Sequence, residues 1–488
     1  MLSRLLKSFS KKYKVLIILL SFILISFLFE FSYASYFLID FHANWLTQDQ
    51  DVIITGAYSL SKDGYYLNDF LTSQMIELYP SKAFNLLSFF NDLINNMFLS
   101  VFILTLFFKT IFVFSTFLLS RYLLKNTKLA LLATFMLSFI HSMGPEVVGV
   151  SSILAKDIVF AFMPLVFYLF LRYHKKLSIP IFIVLGILLN FHSVTIIPIM
   201  ILFLFSLFFQ KKDYKTFFIC LIISSLFLFQ YYSSSKLKNE EFYIQIHWDP
   251  GYLFPTSVGK SILKFACVLI PGFFIIKRKN KELFQWLLII LLYSSLSIFS
   301  YFNSEMLLMQ FLRSAKYILY FSFIYCTLLI SSLWNKSKIL GLMLFILIFI
   351  PFSSLYYSTV LEGITKSKSI YIEENPKVIQ LGEWLDKNTP KDSTLLVPPY
   401  WIEIKIWSKR SVVSLWNDAS WCAYSKRISE SCKERHDDVM QLYSQNQAST
   451  AEFLNIANKY NAQYIVTYNK SLDLPKIFSV NGFKVYGV

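Results

Sequence analysis

Eleven apolar stretches recur along the chain, near 15–36, 98–120, 129–143, 153–172, 178–191, 193–209, 216–234, 262–276, 284–301, 309–333 and 339–358. A helix needs about 20 mainly apolar residues to cross a bilayer, and most of these runs approach that length. Basic clusters separate them: Arg4 to Lys14, Arg121 to Lys128, Arg172 to Lys176, Lys211 to Lys215, Lys277 to Lys281, and Lys336 with Lys338. These clusters fall on every second connection, which assigns them to the cytoplasmic side. Eleven crossings would then leave the N-terminus inside and residues 361–488 outside. The pattern predicts a polytopic α-helical protein of the cytoplasmic membrane with two domains. Residues 1–360 form the transmembrane domain, including a first outer loop at 37–96, and 361–488 form an extracytoplasmic domain.

The pattern changes in the connections. Within the first outer loop, segments 52–61 and 82–95 have helical spacing and suit short helices on the membrane surface. A second outer loop, near 235–261, carries the turn His247-Trp248-Asp249-Pro250-Gly251. Asn190-Phe191-His192-Ser193 separates two short apolar runs and is expected at or below the outer surface. In the tail, 377–388 reads as an amphipathic helix that Thr389-Pro390 stops, followed by a strand at 394–398. A helix at 449–460 leads into a strand at 463–467, and 482–487 reads as a last strand. This alternation predicts a small α/β domain with a mixed sheet.

Composition agrees: 56% of residues are hydrophobic, 51 are Phe and 16% are charged. The formal net charge of +16 does not imply nucleic acid. Twenty of the 46 basic residues lie in the hinges, while 361–488 holds 16 basic and 14 acidic residues. The first apolar run lacks a small-residue cleavage site and reads as a retained helix. Cys220, Cys267 and Cys326 fall in apolar runs and read as packing. Cys422 and Cys432 lie in the outer domain. No matching His/Cys set surrounds them, so a disulfide is expected there rather than a metal site.

Ionisable residues at membrane depth mark a function or a pair. Arg313 and Lys316, in QFLRSAKY, are three residues apart and share a helix face, where a fork and a point charge suit a phosphate or pyrophosphate. Gly144-Pro145-Glu146, with Lys156 and Asp157, sits at another outer turn, where Glu146 and Lys156 contact a substrate or form structural ion pairs. His192 binds a polar group or caps a helix, and His141 is similarly placed. Lys109, in mid-span, calls for a partner across the bundle. The first outer loop carries Asp40, Asp49, Asp51, Asp63, Asp69, Glu77 and Asp92 against Lys62 and Lys82. A carboxylate there can take a proton from an acceptor hydroxyl while cations or a metal meet the charge of a departing phosphate.

Asp49-Gln50, followed by Ala57, Leu60 and Gly64, resembles the Asp-Glu…Ala…Leu…Gly pattern after the first span of GT-C membrane glycosyltransferases. Asn68-Asp69 and Tyr79-Pro80 look like the continuation of that loop. The tail segment TPKDSTLLVPP, the SKR ending at Arg410 and YIV at 464–466 are similar to the outer α/β domain of oligosaccharyltransferase-like members. The resemblance implies a GT-C fold, a polyprenyl-phosphate-linked sugar donor, an acid of the first loop as base and a lipid-phosphate site lined by basic residues. Asp49 matches the first acid of the motif, Gln50 replaces the second, and Asp51 can substitute. The Trp-Trp-Asp tail motif is absent, with only Trp416-Asn417-Asp418 in its neighbourhood, so transfer to asparagine is not implied.

The expectation is an inverting sugar transfer to a glycan, lipid or protein acceptor on the outer face. Asp49 or Asp51 is the base and Arg313 and Lys316 hold the lipid phosphate. Asp69 and His192 position sugar or acceptor, Asp40, Glu146 and Lys156 complete the polar lining, and Mg or Mn is a candidate cofactor. The expected cavity brings the early acids and the late cations together. The alternatives are a glycan polymerase or ligase, a transporter or flippase of lipid-linked sugars, and an inactive scaffold.

Overall fold

A computed structural model describes residues 13–26, 48–62, 65–66, 68–78, 81–139, 155–234, 255–297, 311–349, 371–401, 403–415, 426–445 and 448–488. These residues are mostly helical, with one five-stranded sheet near the C-terminus. The chain divides into two compact units. A helical unit comprises Met1–Tyr33, Ile103–Gln230 and Pro250–Ile364; a sheet unit comprises Ala34–Phe102, Tyr231–Asp249 and Thr365–Val488.

Helices stand at each predicted apolar stretch. The runs predicted at 153–172 and 178–191 form one assigned helix, Ala155–Leu189, interrupted by non-helical backbone at Tyr173. Among the described residues, Met97–Leu124, Ser193–Gln210, Tyr214–Ser233 and Ala315–Lys336 are long and apolar enough to cross a membrane. Polar hinge residues start several helices. Asn96 Oδ1 accepts from Leu99 N–H at 3.0 Å, Asn126 Oδ1 from Lys128 N–H at 2.9 Å, and Asn280 Oδ1 from Leu283 N–H at 3.0 Å. On Tyr214–Ser234, the exposed side chains Phe218, Ile222, Leu226 and Phe229 recur at helical spacing. In water such a stripe would cost about 25 cal/mol per Å² of apolar surface, whereas lipid tails cover it. Within the helical unit, Phe167, Phe170, Phe203 and Trp286 interlock, with Phe170 stacked on Phe203 at 3.9 Å. Gly272 lets two helices meet: an added Cβ would lie 2.5 Å from Ser322 Cβ.

In the sheet unit, β1 (Thr394–Leu396), β2 (Ser411–Val412), β3 (Tyr464–Tyr468), β4 (Lys476–Val480) and β5 (Phe483–Gly487) are ordered β2-β1-β3-β5-β4. β1 pairs parallel with β2 and β3, and β5 pairs antiparallel with β3 and β4, so the sheet is mixed. Alternate side chains along each strand face opposite layers. Leu395, Val466 and Val485 join Val378, Leu381 and Leu385 of helix Tyr371–Asn388. Leu396, Ile465 and Tyr486 join Val439 and Leu442 of helix Lys426–Ser444 and Phe453 of helix Thr450–Lys459. The β4–β5 turn is Asn481-Gly482, both at positive φ (48° and 91°), as a tight hairpin requires. The predicted loop helices are Gln48–Leu60 and Ala83–Ile94, with a third, Phe70–Leu78, between them.

Candidate functional site

Two polar clusters gather predicted site residues, one in each unit. In the helical unit, Lys316 is the second residue of helix Ala315–Lys336 and only 2% exposed. A buried ammonium is costly unless polar or aromatic groups replace water. Its Nζ donates to Thr195 Oγ1 at 3.2 Å and lies 5.6 Å from the Phe160 ring centroid and 5.8 Å from that of Tyr317. His192 occupies the N-cap position of helix Ser193–Phe205 without its side chain capping it. Instead, its Nδ1 lies 2.8 Å from Thr195 Oγ1. An ammonium cannot accept, so the Thr195 hydroxyl accepts from Lys316 while it also shares a hydrogen bond with His192 Nδ1. Tyr317 Oη donates to the Thr195 carbonyl at 3.1 Å and locks this turn onto the same helix. The structure thus links predicted residues His192 and Lys316 through Thr195, a hydroxyl that the sequence did not single out.

The other predicted residues of this unit are placed separately. Arg313 is half-buried in the 3₁₀ turn Phe311–Ser314, directly before the helix of Lys316. Lys156 is half-buried and Asp157 buried in the first turn of Ala155–Leu189, where a carboxylate complements the helix dipole. Lys109 donates to the Ser138 carbonyl at 3.0 Å, in the last turn of Thr127–Phe139, an end of a helix that favours a cation. Glu146 and His141 lie outside the described residues.

In the sheet unit, Asp69 precedes helix Phe70–Leu78 and is 1% exposed. Its Oδ1 accepts from Thr72 N–H and Lys405 Nζ, each at 2.8 Å, and its Oδ2 accepts from Val412 N–H at 3.1 Å. Burial pushes the carboxyl pKa up, but the Lys405 charge, its hydrogen bond and those from Thr72 outweigh this and hold it below its usual 3.8. Tyr66 Oη donates to the Lys405 carbonyl at 2.8 Å, and Asn68 Nδ2 to the Asp392 carbonyl at 2.6 Å. Asp69, expected to position a sugar or acceptor, ties the first loop to helix Glu403–Ser408 and β2 through these contacts. No local pattern marks Lys405 as this partner, because it lies 336 positions away.

Asp49 and Asp51 fall on helix Gln48–Leu60, in its first turn, where the dipole favours acids; their side chains, and all of Asp40, lie outside the described residues. The acids of this loop belong to the sheet unit, and Arg313 and Lys316 to the helical unit. Cys432 is buried and disulfide-bonded, and Cys422 lies outside the described residues. Among the described residues no group of three or more His, Cys, Asp or Glu is placed to hold a metal ion, and the carboxylate of Asp69 is committed to Thr72, Lys405 and Val412.

A domain family of unknown function, DUF6798, matches residues 376–428. No curated protein matches the chain. Among solved structures, the chain is similar to the Archaeoglobus fulgidus oligosaccharyltransferase in its apo form, at 12% identity and a TM-score of 0.45, over 92% of this chain and 69% of that one. It is similar to the same enzyme tethered to an acceptor peptide with an NVT sequon (11%, TM-score 0.42, 86% and 69%). A third is the archaeal oligosaccharyltransferase AglB from that organism with an inhibitory peptide and a dolichol-phosphate (12%, TM-score 0.44, 94% and 70%). At such identities and TM-scores the likeness transfers no residue role to this chain.

Proposed function

We propose that this protein is a multi-pass membrane glycosyltransferase that moves a sugar from a polyprenyl-phosphate-linked donor to an acceptor on the outer face of the cytoplasmic membrane. The observation that supports this best is the buried Lys316–Thr195–His192 chain on two apolar helices. A cation kept at that depth, with Arg313 one turn before it, suits a phosphate whose lipid tail stays in the bilayer. In the proposed reaction an acceptor hydroxyl attacks the anomeric carbon as the carbon–oxygen bond to phosphate breaks. Asp49 or Asp51 takes the hydroxyl proton, and Arg313 and Lys316 meet the charge on the departing phosphate. Displacement in one step inverts the anomeric centre. Glu146, Lys156 and Asp40 serve as further polar contacts, and no step is routed through a metal.

The test is transfer from a lipid-linked sugar by purified protein in lipid nanodiscs. Lys316→Met should abolish transfer, and Lys316→Arg should retain part of it. Full activity in Lys316→Met would remove the phosphate site, and full activity in both Asp49→Asn and Asp51→Asn would remove the base.

A further inference from the structure

Within the sheet unit a cleft of about 370 Å³ opens between the first-loop helices and helix Tyr371–Asn388. That is in the range of roughly 300–1,000 Å³ usual for small-ligand sites. Its walls combine three kinds of side chain. The first is aromatic: Trp407 and Tyr65 are half-buried, Phe98 stacks on Trp407 at 4.9 Å and 20°, and Tyr58 meets Tyr65 edge-on at 5.5 Å. The second is carboxamide, from Asn91, Asn95 and Asn96. Asn96 Oδ1 already accepts from Leu99 N–H, and its amide supplies donors to the cleft. The third is charged and balanced: Glu383 and Asp386 against Lys387 and Lys409. Lys409 is held by Asp386 at 3.0 Å, a carboxylate that Arg410 also engages at 3.2 Å, and lies over Tyr65 at 5.4 Å, so this cation is tied into the protein's own ion-pair network.

A phosphate site would show an excess of cations, and an apolar ligand would find no use for three carboxamides and a carboxylate. A pyranose needs both flat aromatic faces, against which its C–H groups pack, and groups that donate to and accept from its hydroxyls. We propose that this cleft binds a neutral glycan segment. Sugar rings lie on Trp407 and Tyr65, and Asn95, Asn96 and Glu383 hold the hydroxyls. The cleft then holds an acceptor glycan, an assignment that rests on the transferase reading above; binding itself does not.

The experiment is calorimetric titration of the full-length protein in nanodiscs with N,N′-diacetylchitobiose, cellobiose and mannobiose, and with inorganic pyrophosphate. At least one disaccharide should bind saturably, and pyrophosphate should neither bind nor compete. Asn95→Gly keeps the left-handed backbone at that position (φ 55°) and removes the carboxamide. Glu383→Gln keeps the shape of an exposed side chain and removes its charge. Each should weaken disaccharide binding about threefold to tenfold. The proposal is overturned if no disaccharide binds, if pyrophosphate competes, or if both variants bind as the wild type does. Disaccharide binding without sugar transfer would sink the transferase reading and leave the cleft. Transfer without disaccharide binding would do the reverse.

Discussion

Lys405→Met should loosen the sheet unit around Asp69 far more than an ordinary surface substitution. The Lys405 and Asp69 side chains are 7% and 1% exposed, with Nζ 2.8 Å from Oδ1. Unit charges at that separation attract by about 6 kcal/mol at an effective dielectric of about 20. Much of this offsets the cost of dehydrating both groups, so the pair as a whole contributes little. Removing one partner is different, because the dehydration of the other is left uncompensated, at about 3–5 kcal/mol. Hydrogen exchange resolves such local losses. Peptides covering 68–78 and 403–415 should exchange faster by about two to nearly four orders of magnitude, at about 1.4 kcal/mol per factor of ten. The pH dependence carries a sign of its own. In the wild type the Asp69 pKa is depressed, so its contribution is present above the unfolded value near 3.8 and is lost as pH falls through the lower folded value. Without Lys405, burial dominates and raises the folded pKa above the unfolded one. The variant should therefore gain local stability as pH falls toward about 3.8, whereas the wild type is unchanged over that range and loses its contribution only below it. An exchange rate within tenfold of wild type, or the same pH slope in both proteins, would refute the assignment of Asp69 as a dehydrated, lysine-compensated knot.

Gly382→Ala would place a Cβ 2.3 Å from the Cβ of Trp407, where helix Tyr371–Asn388 crosses Glu403–Ser408. Overpacking of that size should cost roughly 1–3 kcal/mol, seen as a lower thermal midpoint of the tail. Ser449 and Glu452 form a reciprocal capping box at the start of helix Thr450–Lys459. Ser449→Ala should cost about 1 kcal/mol, read as faster exchange confined to that helix.

Much of the sheet unit's second half was legible in the chain because its signals are local. The helix ending before Thr389-Pro390, the strand TLL and the strand YIVTY each carry their own periodicity. Other parts left little trace. β2 is two residues long, and β4 is an edge strand with an exposed-to-intermediate pattern that lacks clean alternation. Helix Lys426–Ser444 is crowded with charge and buries only a sparse stripe, including Cys432, Val439 and Leu442. Among predicted site residues, His192 and Lys316 were recognisable as ionisable groups in apolar surroundings, and Thr195 between them was not. The cleft in the sheet unit was not legible at all, since Asn95, Glu383 and Trp407 are ordinary residues until the chain folds.

The amino-acid order by itself determined which apolar stretches form helices and where helices and strands alternate near the C-terminus. Apolar length and strand alternation are properties of neighbouring positions. Tertiary structure alone decided what each polar group serves. It brought Lys405 onto the Asp69 carboxylate, and joined His192 to Lys316 through one hydroxyl. The physical reason is that burial can be written into a local pattern, whereas the compensation of a buried charge depends on whichever distant segment arrives beside it.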